Sequence, residues 1–249
     1  MRRLFGFING FCAHALKGGI LVLAVTILTL SVPGSGNAAE FVVDATFDAV
    51  DDNPGDGICD DGSGNCTLRA AVMESNALAG EDEIILSDEI YLITIPGTDD
   101  AAADGDLDIR DSLIIQGAGA DETVIDAGNI TRAFHLLDDD DLSQIEVGIL
   151  GLTIRNSVAG NAGGAIRNVS ETLFLEGVNI QDSTAPRGGG IYVGPDGRAT
   201  IFSSAIINNS ATDDPGQERG GAIFNSGETV ILNTTISGNT AGDLGGGIF

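Results

Sequence analysis

Gly163-Gly164-Ala165-Ile166 recurs as Gly188-Gly189-Gly190-Ile191, Gly220-Gly221-Ala222-Ile223 and Gly245-Gly246-Gly247-Ile248, at spacings of 25, 32 and 25 residues. Between these copies lies a second element: ILGLTIRNSVA at 149–159, LEGVNIQDSTA at 175–185, IFSSAIINNSA at 201–211 and ILNTTISGNTA at 231–241. Its first and sixth positions are always Ile or Leu, and its eleventh is always Ala. Apolar residues fall in short alternating runs, such as Leu173 and Leu175 followed by Val178 and Ile180, which is strand patterning. One such unit is too small to bury its own apolar face, whereas stacked units share a core. The repeat therefore predicts an all-β fold, a parallel β-helix (solenoid), with Ile154, Ile180, Ile206 and Ile236 one above another inside. Adjacent coils then pair their backbones at about 4.8 Å. Asn168 with Asn225, or Asn208 and its neighbours, are candidates for stacked side-chain ladders.

Working outward, Ile84–Leu86, Tyr91–Ile95, Asp106–Gly117, Thr123–Asp126 and Arg132–Leu137 read as less regular strands of the same plan. A solenoid over 83–249 at about 25 residues per turn gives six or seven coils. Before it, TLRAAVMESNALA (Thr67–Ala79) is the best helical segment after residue 39, and Gly80 is its stop signal. It is expected to cap the open end of the first coil within a 40–82 cap segment. Phe249 falls just after a GGGI element with no cap, so the repeats are expected to be truncated at the carboxyl end, the chain being either a fragment of a longer protein or one that another module follows.

The chain of 249 residues carries 37 acidic and 11 basic residues. Three bases (Arg2, Arg3, Lys17) precede the first acid, leaving eight arginines, no lysine and about −29 formal charge afterwards. That balance repels phosphate backbones and excludes nucleic acid as a partner. The early bases, the apolar run Ile20–Leu30 and the small residues Gly36–Ala39 form a signal peptide over 1–39. The run is too short to span a bilayer, so no transmembrane helix is expected after cleavage. Export places Cys59 and Cys66 in an oxidising compartment. They bracket a glycine-rich turn and are expected to form a disulfide.

Candidates for chemistry are few. His135, in AFHLL, is a conceivable general base, but a lone mid-strand histidine is commoner as a packed residue. Asp104, Asp106 and Asp108 alternate, and Asp51, Asp52, Asp56, Asp60 and Asp61 cluster around turns. Calcium is the one metal either set suggests, and solvated acidic turns are the simpler reading. No cofactor and no catalytic residue is assigned. Arg167, Tyr192, Phe224 and Phe249 share the repeat position beside the inward Ile and are expected to face outward as a mixed ladder. The connection Thr212–Arg219 is longer than its counterparts. Thr212, Asp213, Asp214, Gln217, Glu218 and Arg219 are therefore the candidate binding loop.

CTLRAA at 66–71, the preceding NPGDGICDDGSGNC and the following ESNA resemble the amino-terminal module of bacterial CSLREA-domain proteins. The alternation of GGAI (163–166, 220–223) with IINN at 206–209 and ISGN at 236–239 resembles the repeats of polymorphic outer-membrane proteins, with Ile in place of Phe. The resemblance implies a right-handed parallel β-helix, secreted or displayed on the bacterial cell surface. It implies a role that is sometimes adhesive, and no defined catalytic residues. The reading drawn from the whole is an exported, non-enzymatic, adhesin-like β-helix that presents a repetitive surface for adhesion or envelope structure toward an unknown surface or glycan ligand. The alternative is a polysaccharide-active β-helix enzyme, a lyase or hydrolase, since fold alone does not fix function.

Overall fold

The computed structural model describes residues 38–98, 100–138, 144–212, 214 and 216–249. The expected signal peptide, apart from Ala38 and Ala39, lies outside the described residues, as does Asp213 of the candidate loop. Parallel strands wind into stacked coils, each adding one strand to each of three faces. A seven-stranded sheet runs through Glu40–Val42, Asp82–Ile85, Leu113–Gln116, Glu146–Leu150, Thr172–Glu176, Arg198–Phe202 and Glu228–Leu232. A six-stranded sheet contains Ile90–Leu92, Val124–Asp126, Thr153–Arg155, Asn179–Gln181, Ala205–Ile207 and Thr235–Ser237. A five-stranded sheet contains Leu107–Ile109, Phe134–Leu136, Ile166–Asn168, Ile191–Val193 and Ile223–Asn225. A short three-stranded sheet turns one corner with Thr184–Ala185, Ser210–Ala211 and Thr240–Ala241.

These strands make about five turns, fewer than the six or seven expected from a uniform repeat. The early coils use more chain. Ile84 pairs with Ile115 and Ile115 with Ile149, separations of 31 and 34 residues, against 26 for Ile149 to Leu175 and again for Leu175 to Ile201. In the first of these coils the long connection runs from Leu92 to Leu107 and folds over the five-stranded sheet, and in the second the longer links are Gln116 to Val124 and Leu136 to Glu146.

The expected column is present: Ile154, Ile180, Ile206 and Ile236 are paired in register. The first three are fully buried and Ile236, in the last coil, is half-buried. The GG-x-I motif has two separate steric causes. Its first glycine (163, 188, 220, 245) has φ near +66°, and a Cβ there would strike the carbonyl of the Ile three residues on. Its second glycine (164, 189, 221) would strike the carbonyl of its counterpart in the next coil. Any side chain at either position breaks the turn or the stacking. Of the expected asparagine ladders, Asn168 and Asn225 are separated by Val193 and do not meet. The ladder that forms is one residue after Asn208: the buried Asn209 amide donates to Asn239 Oδ1 at 3.1 Å, and Asn209 Oδ1 accepts from the Ser183 N–H.

The only α-helix among the described residues, α1 (Leu68–Ala77), packs against Asp82–Ile85 and Leu107–Ile109. Thr67 caps it, its Oγ1 accepting from the Ala70 N–H. The helix stops before Leu78, whose extended backbone ends it two residues ahead of Gly80. Arg69 is fully buried under it, paired with Asp48 at 2.7 Å and donating to the carbonyls of Ala102 and Gly105. The cap segment also supplies a strand, because Glu40–Val42 pairs with Glu83–Ile85. Cys59 and Cys66 are bonded, with Cα atoms 5.0 Å apart.

Ile206→Asp buries an unpaired carboxylate and should lower the unfolding free energy by more than about 4 kcal/mol. Ile236→Asp should cost less than half as much, and urea midpoints for the two variants test the difference. Alkylation of the unfolded, unreduced chain followed by peptide mass spectrometry should leave Cys59 and Cys66 unmodified. Modification of both would contradict the bond.

Candidate functional site

On the five-stranded sheet the central residue of each strand points outward. The pairings put Asp108, His135, Arg167, Tyr192 and Phe224 in one column. Phe249 continues it, its N–H donating to Ile223 O and its carbonyl accepting from the Asn225 N–H. The sequence-expected ladder of Arg167, Tyr192, Phe224 and Phe249 is therefore real and begins two coils earlier.

The early half of the column is closed on itself. The connection after Leu92 covers it, and the buried Asp108 carboxylate accepts from the Ala102 N–H. His135 Nδ1 lies 3.1 Å from Asp108 Oδ1, and its Nε2 lies 3.3 Å from Arg167 Nη1. A guanidinium can only donate, so Nε2 accepts and the ring proton sits on Nδ1, facing Asp108. Asp100, Asp108 and His135 present ligand atoms within 4.8 Å of one another. That tautomer leaves Nδ1 no lone pair for a cation. Asp106 instead pairs with Arg132 at 2.7 Å, so the alternating aspartates do not share a ligand. In the cap, Asp51, Asp56, Asp60 and Asp61 accept backbone N–H groups of their own loop, which is turn chemistry. Glu74, buried on α1, accepts from the N–H groups of Gly55 and Gly57.

The later half is open. The Tyr192 and Phe224 rings stack at 5.4 Å, and Phe224 and Phe249 at 5.3 Å. Beside them runs a second column, Ala162, Arg187, Arg219 and Leu244. The Arg187 guanidinium lies 6.0 Å from the Phe224 centroid and that of Arg219 lies 5.0 Å from Phe249, within cation–π range. Arg219 thus belongs to the coil and not to the tip of the 212–219 loop. Glu218 is likewise tied down, its backbone bonded to Asp243 and Leu244. Thr212 donates its N–H to the Ala185 carbonyl, and the Gln217 N–H donates to the Asp214 carbonyl.

Arg69, Arg132, Arg155 and Arg198 each have a carboxylate partner. Among the described residues Arg167, Arg187 and Arg219 have none within 4.0 Å, and the Nε of each is buried without a hydrogen-bond partner. Burial, with Arg132 nearby, lowers the Arg167 pKa. Arg187 was not singled out from the sequence, though a signal existed: Arg precedes the double glycine in two of the four repeats. No family model, curated protein or solved structure matches the chain. Among the described residues no helix is long and apolar enough to cross a membrane.

Burial raises the pKa of Asp82, Asp108 and Glu146, helped by the neighbouring charges of Asp111, Asp106 and Glu81 respectively. Such groups bind protons more tightly folded than unfolded. They stabilise the fold at low pH and lose that contribution as pH rises through their folded pKa. At Asp126, hydrogen bonds from Asn156, Gly128 and Arg155 outweigh burial and lower the pKa, so its contribution fades only below its ordinary 3.8. The melting temperature should therefore rise as pH falls from neutrality toward the ordinary carboxylate values of 3.8 for Asp and 4.5 for Glu. Scanning calorimetry across that interval checks the sign.

Proposed function

We propose that the chain is an exported, non-enzymatic β-helix that presents a repetitive surface for adhesion or envelope structure, secreted or held at the bacterial cell surface. The observation that carries this reading is the open half of the outward ladder, where stacked rings and guanidinium groups repeat coil after coil. Such an array suits recognition of something extended. The polar groups beside it, Asp108, His135 and Arg167, are engaged with one another, which favours binding over turnover. The basic and apolar segments before residue 40 support export. The Cys59–Cys66 bond is chemistry that persists in oxidising compartments. The resemblance to CSLREA-domain proteins agrees with both.

Beads coated with the chain should adhere to bacterial or host cell surfaces, and uronate and neutral polysaccharides incubated with it should remain intact. Absence of adhesion would overturn the adhesive reading. Cleavage of any polymer in the panel would overturn the non-enzymatic one in favour of a lyase or hydrolase.

A further inference from the structure

Across neighbouring coils, side chains in one column sit directly opposite each other, and like charges there repel. The chain generally respects this: Arg155 lies opposite Asp126 and Gln181, and Arg198 opposite Thr172 and Glu228. Two register pairs set like charges opposite each other: Glu40 with Glu83, where the first strands meet, and Arg187 with Arg219, the one arginine pair among the described residues. A third cation without a carboxylate partner, Arg167, lies in the adjacent outward column, opposite Tyr192. In a chain with 37 acidic residues, Arg167, Arg187 and Arg219 each lack such a partner among the described residues and lie in two adjacent columns. The rings beside Arg187 and Arg219 offset part of the repulsion but bring no negative charge.

Resting on the binding role proposed above, we infer that this face takes a linear anionic polysaccharide, laid along the solenoid axis, with a carboxylate or sulfate of successive sugars paired to Arg187 and Arg219. Charge and width select the class: a thin polyanion supplies the negative charge that the column lacks and can follow it along the axis, on which coils repeat at about 4.8 Å. An extended acidic peptide presents same-side carboxylates about 6.8 Å apart and falls out of step.

The test is biolayer interferometry on the purified chain with polygalacturonate (carboxylated), heparin (sulfated), dextran (neutral) and polyglutamate (acidic peptide). Binding to polygalacturonate or heparin with neither dextran nor polyglutamate bound is expected, and the two polysaccharides separate carboxylate from sulfate. Arg187→Gln and Arg219→Gln should each weaken binding about tenfold, and together about a hundredfold. Arg198→Gln removes the same charge from another face and should leave binding unchanged, while circular dichroism and melting temperature establish that the variants fold. The inference is overturned if neither polyanionic sugar binds, if the folded double variant binds as wild type, if Arg198→Gln weakens binding equally, or if polyglutamate binds as tightly. Beads that adhere without any polysaccharide binding would sink the ligand class and leave the adhesive role. Polysaccharide binding by a chain whose beads adhere to nothing would do the reverse.

Discussion

Backbone-to-backbone registry between coils is the constraint on which the rest depends. Two carbonyls set it at every GG-x-I corner. One belongs to the Ile three residues on and closes over the first glycine, and the other belongs to the next coil and closes over the second. With both approaches made, each residue of one coil is held opposite a fixed residue of the next. Ile166, Ile191 and Ile223 then fall inside together, as do Ile154, Ile180 and Ile206. The hydrophobic core follows from the registry, because a slip of one residue would turn each column from inside to outside.

The same registry acts on the surface, where it multiplies whatever a repeat position carries. A charge repeated at one position would stack against itself, so the outward columns vary: Asp126, Arg155 and Gln181 follow one another on one face, and Asp108, His135 and Arg167 on another. Aromatic rings gain from repetition, and Tyr192, Phe224 and Phe249 stack for that reason. Arg187 above Arg219, like Glu40 beside Glu83, sets like charges opposite each other. A local conflict retained in an otherwise consistent structure points to function.

Legibility in the sequence tracked regularity. The columns of Ile154, Ile180, Ile206 and Ile236 could be read because the repeat there is close to periodic. So could the ladder at Arg167, Tyr192 and Phe224, since alternation fixes which neighbours of an inward Ile face out. The early coils were harder, because pairs such as Asp108 with His135 depend on connections whose lengths the motif does not set. The buried pair of Arg69 and Asp48 joins residues 21 apart across the cap and follows no period. The role of Arg219 was obscured by the insertion before it. Its place was set by the Gly220 that follows, which anchors the return to the column.

Net charge and local charge act over different distances, which reconciles an acidic protein with an anionic ligand. At physiological ionic strength the field of an exposed charge decays over about 8 Å, so carboxylates on other faces contribute little at the arginine column. A nucleic-acid duplex is wide and densely charged, and it would meet those acidic faces together with the column. A single polysaccharide chain is narrow enough to follow one column between them. Arg187 and Arg219 stand over hydrocarbon rings with their Nε atoms buried, and in such partly desolvated surroundings each pairing is stronger than at an open surface. On the proposed reading, the acidic remainder would slow encounter and reject broad polyanions, while the column would set the axis along which a thin one lies.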